Sequence, residues 1–80
     1  IMEKFARKCD VTGRGMNEGY CFGDGEMYAC DKESALLIAK EYGYDNLEDA
    51  YEDEVYYYTE WEELDDDVYY DADGNEYEKL

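Results

Sequence analysis

Tyr20-Cys21-Phe22-Gly23-Asp24-Gly25-Glu26-Met27-Tyr28-Ala29-Cys30-Asp31-Lys32-Glu33 is the stretch on which the fold turns. Two short apolar runs, Tyr20 to Phe22 and Met27 to Ala29, flank Gly23-Asp24-Gly25-Glu26, a composition that fits a β-hairpin loop containing glycine. Immediately afterwards Asp31 is placed to cap a helix from Lys32 to Tyr42. Glu33 is favourable in its first turn and Gly43 stands where it should stop. A hairpin followed at once by a capped helix predicts a small α+β domain with the helix packed on the strands. Leu36, Leu37 and Ala39 or Lys40 give the expected apolar side of that helix, and Leu36 and Leu37 are expected in the core.

Upstream, Glu3 to Ala6 reads as a short strand. It leads into Cys9-Asp10-Val11-Thr12-Gly13-Arg14-Gly15, a knuckle-like loop whose two glycines permit a tight turn. Downstream, Asp45 or Asn46 caps a shorter helix through about Asp53, with Leu47, Ala50 and Tyr51 at i, i+3 and i+4 and the acids outward. The short link from Glu41 to Asp45 predicts antiparallel or angled helix packing. Val55-Tyr56-Tyr57-Tyr58-Thr59-Glu60-Trp61 is the strongest strand, because aromatic and β-branched residues fill both faces. Tyr56 with Tyr58, or Tyr57 with Trp61, should be its buried side. Finally, Val68 to Tyr70 and Glu76 to Glu78 flank Asp71-Ala72-Asp73-Gly74-Asn75, with Asp73-Gly74 a favoured hairpin centre. No proline or serine-rich linker divides the chain, so residues 1–80 are expected to form one domain.

Charge is distributed unevenly over that domain. Residues 1 to 40 hold 7 acids and 6 bases, whereas residues 41 to 80 hold 17 acids and 1 base, so the net charge of −17 is almost entirely in the second half. Leu, Ile, Val and Phe together number 12 of 80 residues, which with this charge is a composition typical of disorder. The 11 tyrosines and one tryptophan argue for folding, since each aromatic buries about 150 to 250 Å² while keeping a polar tip in water. No apolar run is long enough to span a bilayer; the longest is Ala35-Leu36-Leu37-Ile38-Ala39. No signal peptide is visible, and Ile1-Met2 places the expected natural start at Met2. An odd number of cysteines, 3 in all, argues against a complete disulfide framework and for a reducing, cytoplasmic setting.

Cys9 in a glycine knuckle, a glycine hairpin, and Cys30 at the mouth of a helix together resemble a treble-clef zinc finger over residues 9 to 42. In that family one ligand pair comes from the knuckle and the other from the helix start. This chain departs from the pattern: Thr12 stands where the second knuckle cysteine belongs, and Glu33 or Ser34 where the fourth ligand belongs. A structural zinc site wants four thiolate or imidazole ligands, and histidine is absent. The resemblance therefore implies a layout that has lost its metal and buries its cysteines as small apolar residues. A zinc site built from Cys9, Cys21, Cys30 and a carboxylate is the alternative.

Other chemistries fit poorly. Asp71 to Glu76 is similar to the start of a calcium loop, but glycine falls at position 4 instead of 6 and position 12 would lie beyond Leu80. Without histidine, general acid-base work near neutral pH and cysteine activation lack their usual partner. The glycine segments do not match a P-loop. No enzyme is expected.

What remains is the acidic half. Acids at i and i+4 on a helix, or two residues apart on a strand, lie about 6 to 7 Å apart, the scale on which a nucleic-acid backbone spaces its phosphates. A surface so built fits cationic grooves that otherwise neutralise phosphates. Tyrosine and tryptophan add interface anchors and faces for arginine. The expected partner-binding residues are Glu48, Asp49, Glu52, Asp53, Tyr56, Tyr58, Trp61, Glu62 and Glu63. In size and charge the chain resembles the DNA-mimic inhibitors of phages and mobile elements. That resemblance implies a non-enzymatic acidic protein docking on a basic, nucleic-acid-binding protein, with no direct nucleic-acid or membrane binding. A small zinc-binding structural module, or a domain whose acidity only keeps it soluble, are the alternatives.

Overall fold

The computed structural model describes residues 3–64 and 66–79; the expected start at Ile1-Met2 lies outside them, as does Asp65 of the acidic stretch. The chain is α+β, as the hairpin and capped helix require. Its elements in order are β1 (Arg7–Lys8), β2 (Gly15–Met16), β3 (Glu18–Phe22), β4 (Met27–Ala29), α1 (Lys32–Glu41), α2 (Leu47–Glu52), β5 (Tyr56–Glu60), β6 (Val68–Tyr70) and β7 (Glu76–Glu78). The strands form a three-stranded antiparallel sheet in the order β4-β3-β5 and two two-stranded sheets, β1-β2 and β6-β7.

The glycine hairpin forms as expected, with Tyr20 opposite Ala29 and Phe22 opposite Met27. Asp31 caps α1 by accepting the Ser34 N–H at 2.7 Å, and Gly43, at φ 95°, follows the helix where a left-handed residue ends it. Asn46 caps α2 by accepting the Asp49 N–H at 2.8 Å. The first strand lies further along the chain than expected: Phe5 makes only an isolated bridge to Tyr70, and β1 begins at Arg7, where the knuckle brings Gly15 and Met16 back alongside as a pairing partner.

The core lies between one face of the sheet and the two helices. Phe22, Ala29, Ala35, Ile38, Ala39 and Ala50 are buried there, with Tyr20, Met27, Tyr42, Leu47, Val55 and Tyr56 around them. The buried stripe of α1 is thus Ser34, Ala35, Ile38 and Ala39, and the expectation for Leu37 is overturned: it is 54% exposed. Alanines at 35 and 39 leave room for the helix to approach the sheet, so Ile38 and not Leu37 supplies the large side chain. Tyr58 lies on the same sheet face as Tyr56 but at its margin, and is 55% exposed.

The C-terminal hairpin closes on the N-terminal segment. Phe5 and Tyr70 exchange backbone hydrogen bonds, each 2.9 Å, and the Gly15 N–H donates to the Ala72 carbonyl. Gly74, at φ 86°, sits so close to the knuckle that a Cβ there would collide with the Gly13 carbonyl. The acidic second half is in this way built against the near-neutral first half. The molecule is elongated, with extents of 40 × 19 × 15 Å.

Candidate functional site

β5 is the edge strand of the main sheet, and its position follows from its register. Trp61 N–H donates to the Asn17 carbonyl (2.8 Å) and Gly23 N–H to the Val55 carbonyl (3.1 Å). In an antiparallel ladder these bonded pairs alternate, so the backbone groups of Tyr56, Tyr58 and Glu60 point away from β3. Aromatic side chains surround that edge. Tyr56 packs on Tyr20 (5.7 Å), Phe22 (5.1 Å) and Tyr51 (5.7 Å), and Tyr58 meets Tyr20 edge-on at 5.0 Å. On the opposite face Tyr28 and Trp61 meet edge-on at 5.2 Å, with the Arg7 guanidinium over both rings at 5.7 and 5.4 Å.

Carboxylates bracket the strand at both ends. Near its start, a recess of about 640 Å³ is lined by Asp24, Tyr51, Glu52, Glu54, Tyr56 and Tyr57. Glu48 and Glu52 line the adjoining recess with Tyr20, Tyr51 and Tyr56. Near its end, Glu18, Glu60 and Glu62 line a recess of about 460 Å³ with Trp61, Asn17 and Lys4. Glu18 stands directly opposite Glu60 across β3 and β5. Like charges so placed are destabilising.

The tyrosines register this field. Burial, then the Glu18 and Glu60 carboxylates, raise the Tyr58 hydroxyl above its ordinary value. Tyr57 is pushed up to about 12, first by its hydrogen bond to Cys21 and then by Cys21 charge, burial and Asp24. These rings stay neutral hydrogen-bonding groups at physiological pH.

Of the residues expected to bind a partner, the structure brings Glu48, Glu52 and Tyr56 together at one end of β5 and Trp61, Glu62 and Glu63 at the other, with Tyr58 between. Asp49 and Asp53 are exposed on and just after α2, and each accepts a side-chain hydrogen bond. Asp49 Oδ2 accepts from Asn46 at 3.3 Å and Asp53 Oδ2 from the Tyr44 hydroxyl at 2.9 Å. Arg7 donates to the Glu63 carbonyl at 3.0 Å, fixing the chain just after β5. Sequence reading missed Glu18, Asp24, Tyr51, Glu54 and Glu60. Glu60 follows Tyr58 at strand spacing and was legible; Glu18 and Asp24 come from the near-neutral half, and only the pairing of β3 with β5 places them here.

The cysteines divide differently. Cys9 and Cys30 lie side by side at the knuckle, where Cys9 Sγ accepts the N–H groups of Thr12 (3.4 Å) and Cys30 (3.3 Å), and Thr12 Oγ1 lies 3.4 Å from Cys30 Sγ. Cys21 is buried in β3 beside Tyr57. Among the described residues, no group of three or more His, Cys, Asp or Glu is arranged to hold a metal ion. No helix among them is long and apolar enough to cross a membrane.

These features define an α+β domain with an acidic, tyrosine-lined sheet edge. No protein-family description, curated protein or solved structure matches the chain.

Proposed function

We propose that this protein is a non-enzymatic inhibitor that docks its acidic half on a basic, nucleic-acid-binding protein in the manner of a DNA mimic. The observation that carries the reading is the in-register pair Glu18 and Glu60, joined by Glu62 in one recess beside Trp61. A fold selected for stability alone gains nothing from opposed carboxylates, whereas a cationic surface would neutralise them. Exposed Tyr51, Tyr57 and Tyr58 offer rings for arginine and lysine stems. Docking of this kind is salt-sensitive, because exposed charges are screened beyond about 8 Å at physiological ionic strength.

The test is competition. Basic DNA-binding proteins captured on the immobilised chain at low salt should be released by duplex DNA and by raised salt. A variant carrying Glu18→Gln, Glu52→Gln, Glu60→Gln and Glu62→Gln should neither capture them nor block their DNA binding. Equal capture and equal inhibition by this variant would remove the acidic edge from the mechanism.

A further inference from the structure

We propose that Cys9 and Cys30 form a dithiol site that a small-molecule disulfide, of the class of oxidised glutathione, converts reversibly to an intramolecular disulfide. This site is independent of the acidic edge. Its geometry is set by the knuckle. The Gly13 N–H closes the turn on the Cys9 carbonyl at 2.9 Å, while the Asp10 N–H and carboxylate bind the Tyr28 backbone at 2.9 and 2.6 Å, fastening the knuckle to β4 just before Cys30. Cys9 Sγ consequently rests against the Cys30 N–H, and Thr12 touches both sulfurs, through its N–H on Cys9 and its hydroxyl on Cys30.

Exposure divides the labour between them. Cys9 is 0% exposed, so a tripeptide-sized oxidant cannot reach it, whereas Cys30 is only half-buried. Burial and the neighbouring Cys9 raise the Cys30 thiol, so it is the minor fraction that has lost its proton to solvent whose thiolate attacks one sulfur of the oxidant. This forms a Cys30 mixed disulfide and expels one small thiolate. Cys9, as thiolate, then attacks Cys30 Sγ, forming the Cys9–Cys30 bond and expelling the second small thiolate. In sum two protein thiols lose two electrons and two protons, and the oxidant becomes two small thiols. Burial works against the Cys9 thiolate, but hydrogen bonding from Thr12, Val11 and Cys30 outweighs it and lowers Cys9 to about 7. The resolving sulfur is therefore ionised in a useful fraction at neutral pH. Cys21, in β3 beside Tyr57, stays outside the reaction.

Incubating the reduced full chain with oxidised glutathione and mapping its peptides by mass spectrometry tests this directly. The expected product has lost two hydrogens, joins Cys9 to Cys30, leaves Cys21 free, and returns to the dithiol with reductant. Closing the loop should raise Tm by about 4 °C or more. Cys9→Ser, which lacks the resolving thiol, should instead accumulate glutathione on Cys30. A bridge involving Cys21, glutathione retained on Cys30 of the parent chain, or three thiols unchanged at oxidant concentrations that modify an exposed cysteine would each overturn the proposal. Because the peptide map is made on the parent chain, its outcome does not depend on whether a variant folds.

Discussion

Around Cys9 the chain turns its polar groups inward, and along β5 it turns them out. The knuckle satisfies Cys9 Sγ with two backbone N–H donors, fastens itself to β4 through Asp10, and receives Gly74 of the C-terminal hairpin at backbone contact. At the β5 edge, Glu18 faces Glu60, Tyr58 is mostly solvated, and α2 presents Glu48 and Glu52 to water. One sheet joins the two regions. The two regions therefore differ in how their polar groups are met: hydrogen-bonded, closely packed turns hold the knuckle, whereas the β5 edge leaves charged and aromatic side chains in solvent.

The largest expected effect tests where the stability lies. Ile38 is 1% exposed in the core, so Ile38→Ala should cost about 2 to 5 kcal/mol, enough to unfold much of a small domain at 37 °C. Leu37→Ala, one residue away on the solvent side, should cost about 0.5 kcal/mol or less. Thermal melts followed by tyrosine circular dichroism separate the two. Equal losses would mean that the helix packs with a different face from the one described.

The next effect, on the order of 1–2 kcal/mol, concerns the knuckle and has a sign fixed by linkage. Cys9 is lowered from 9.0 to about 7 in the folded chain. A depressed acid contributes stability that is fully present above its unfolded value, near 9, and is lost as pH falls through about 7. Cys30 is raised, so its contribution is present below 9.0 and is lost only at higher pH. Stability of the reduced chain should therefore climb between pH 7 and pH 9. Ordinary carboxylates are ionised throughout this window and contribute no slope. Urea midpoints across the range provide the measurement, and Cys9→Ser should flatten the climb. A parent chain with a flat profile would mean that the thiolate is not held by the knuckle donors.

The same division explains what could be read from the residues. The hairpin, the Asp31 and Asn46 caps, the knuckle and the Asp73-Gly74 turn are local features, each written in a few adjacent side chains, and each appears at the expected place. The helix face was legible only in part: Ala39 was on the expected apolar side and is buried, but Leu36 and Leu37 outweigh Ala35 in hydrophobicity while the sheet selects the alanines for closeness of approach. Glu48, Glu52, Glu62 and Trp61 could be named from the charge pattern. Glu18 and Asp24 could not, since their membership depends on β3 pairing with a strand distant in sequence, as Glu18 does with Glu60.

The smallest effect is the most discriminating, because stability and binding should move in opposite directions. Glu60 lies opposite Glu18 at a position between bonded pairs, where antiparallel Cα atoms approach to about 4.5 Å. Replacing Glu60 with Gln keeps shape and hydrogen-bonding capacity and removes one of two facing charges. Folding stability should rise by about 0.2 to 1 kcal/mol, and the gain should shrink in high salt as screening relieves the parent chain too. Affinity for a basic partner should fall in the same variant, most clearly at low salt. Urea titrations paired with competition against duplex DNA read both quantities on one preparation. If Glu60→Gln were both less stable and equally inhibitory, the carboxylate would be a structural group, and the edge of β5 would have no claim to be the binding surface.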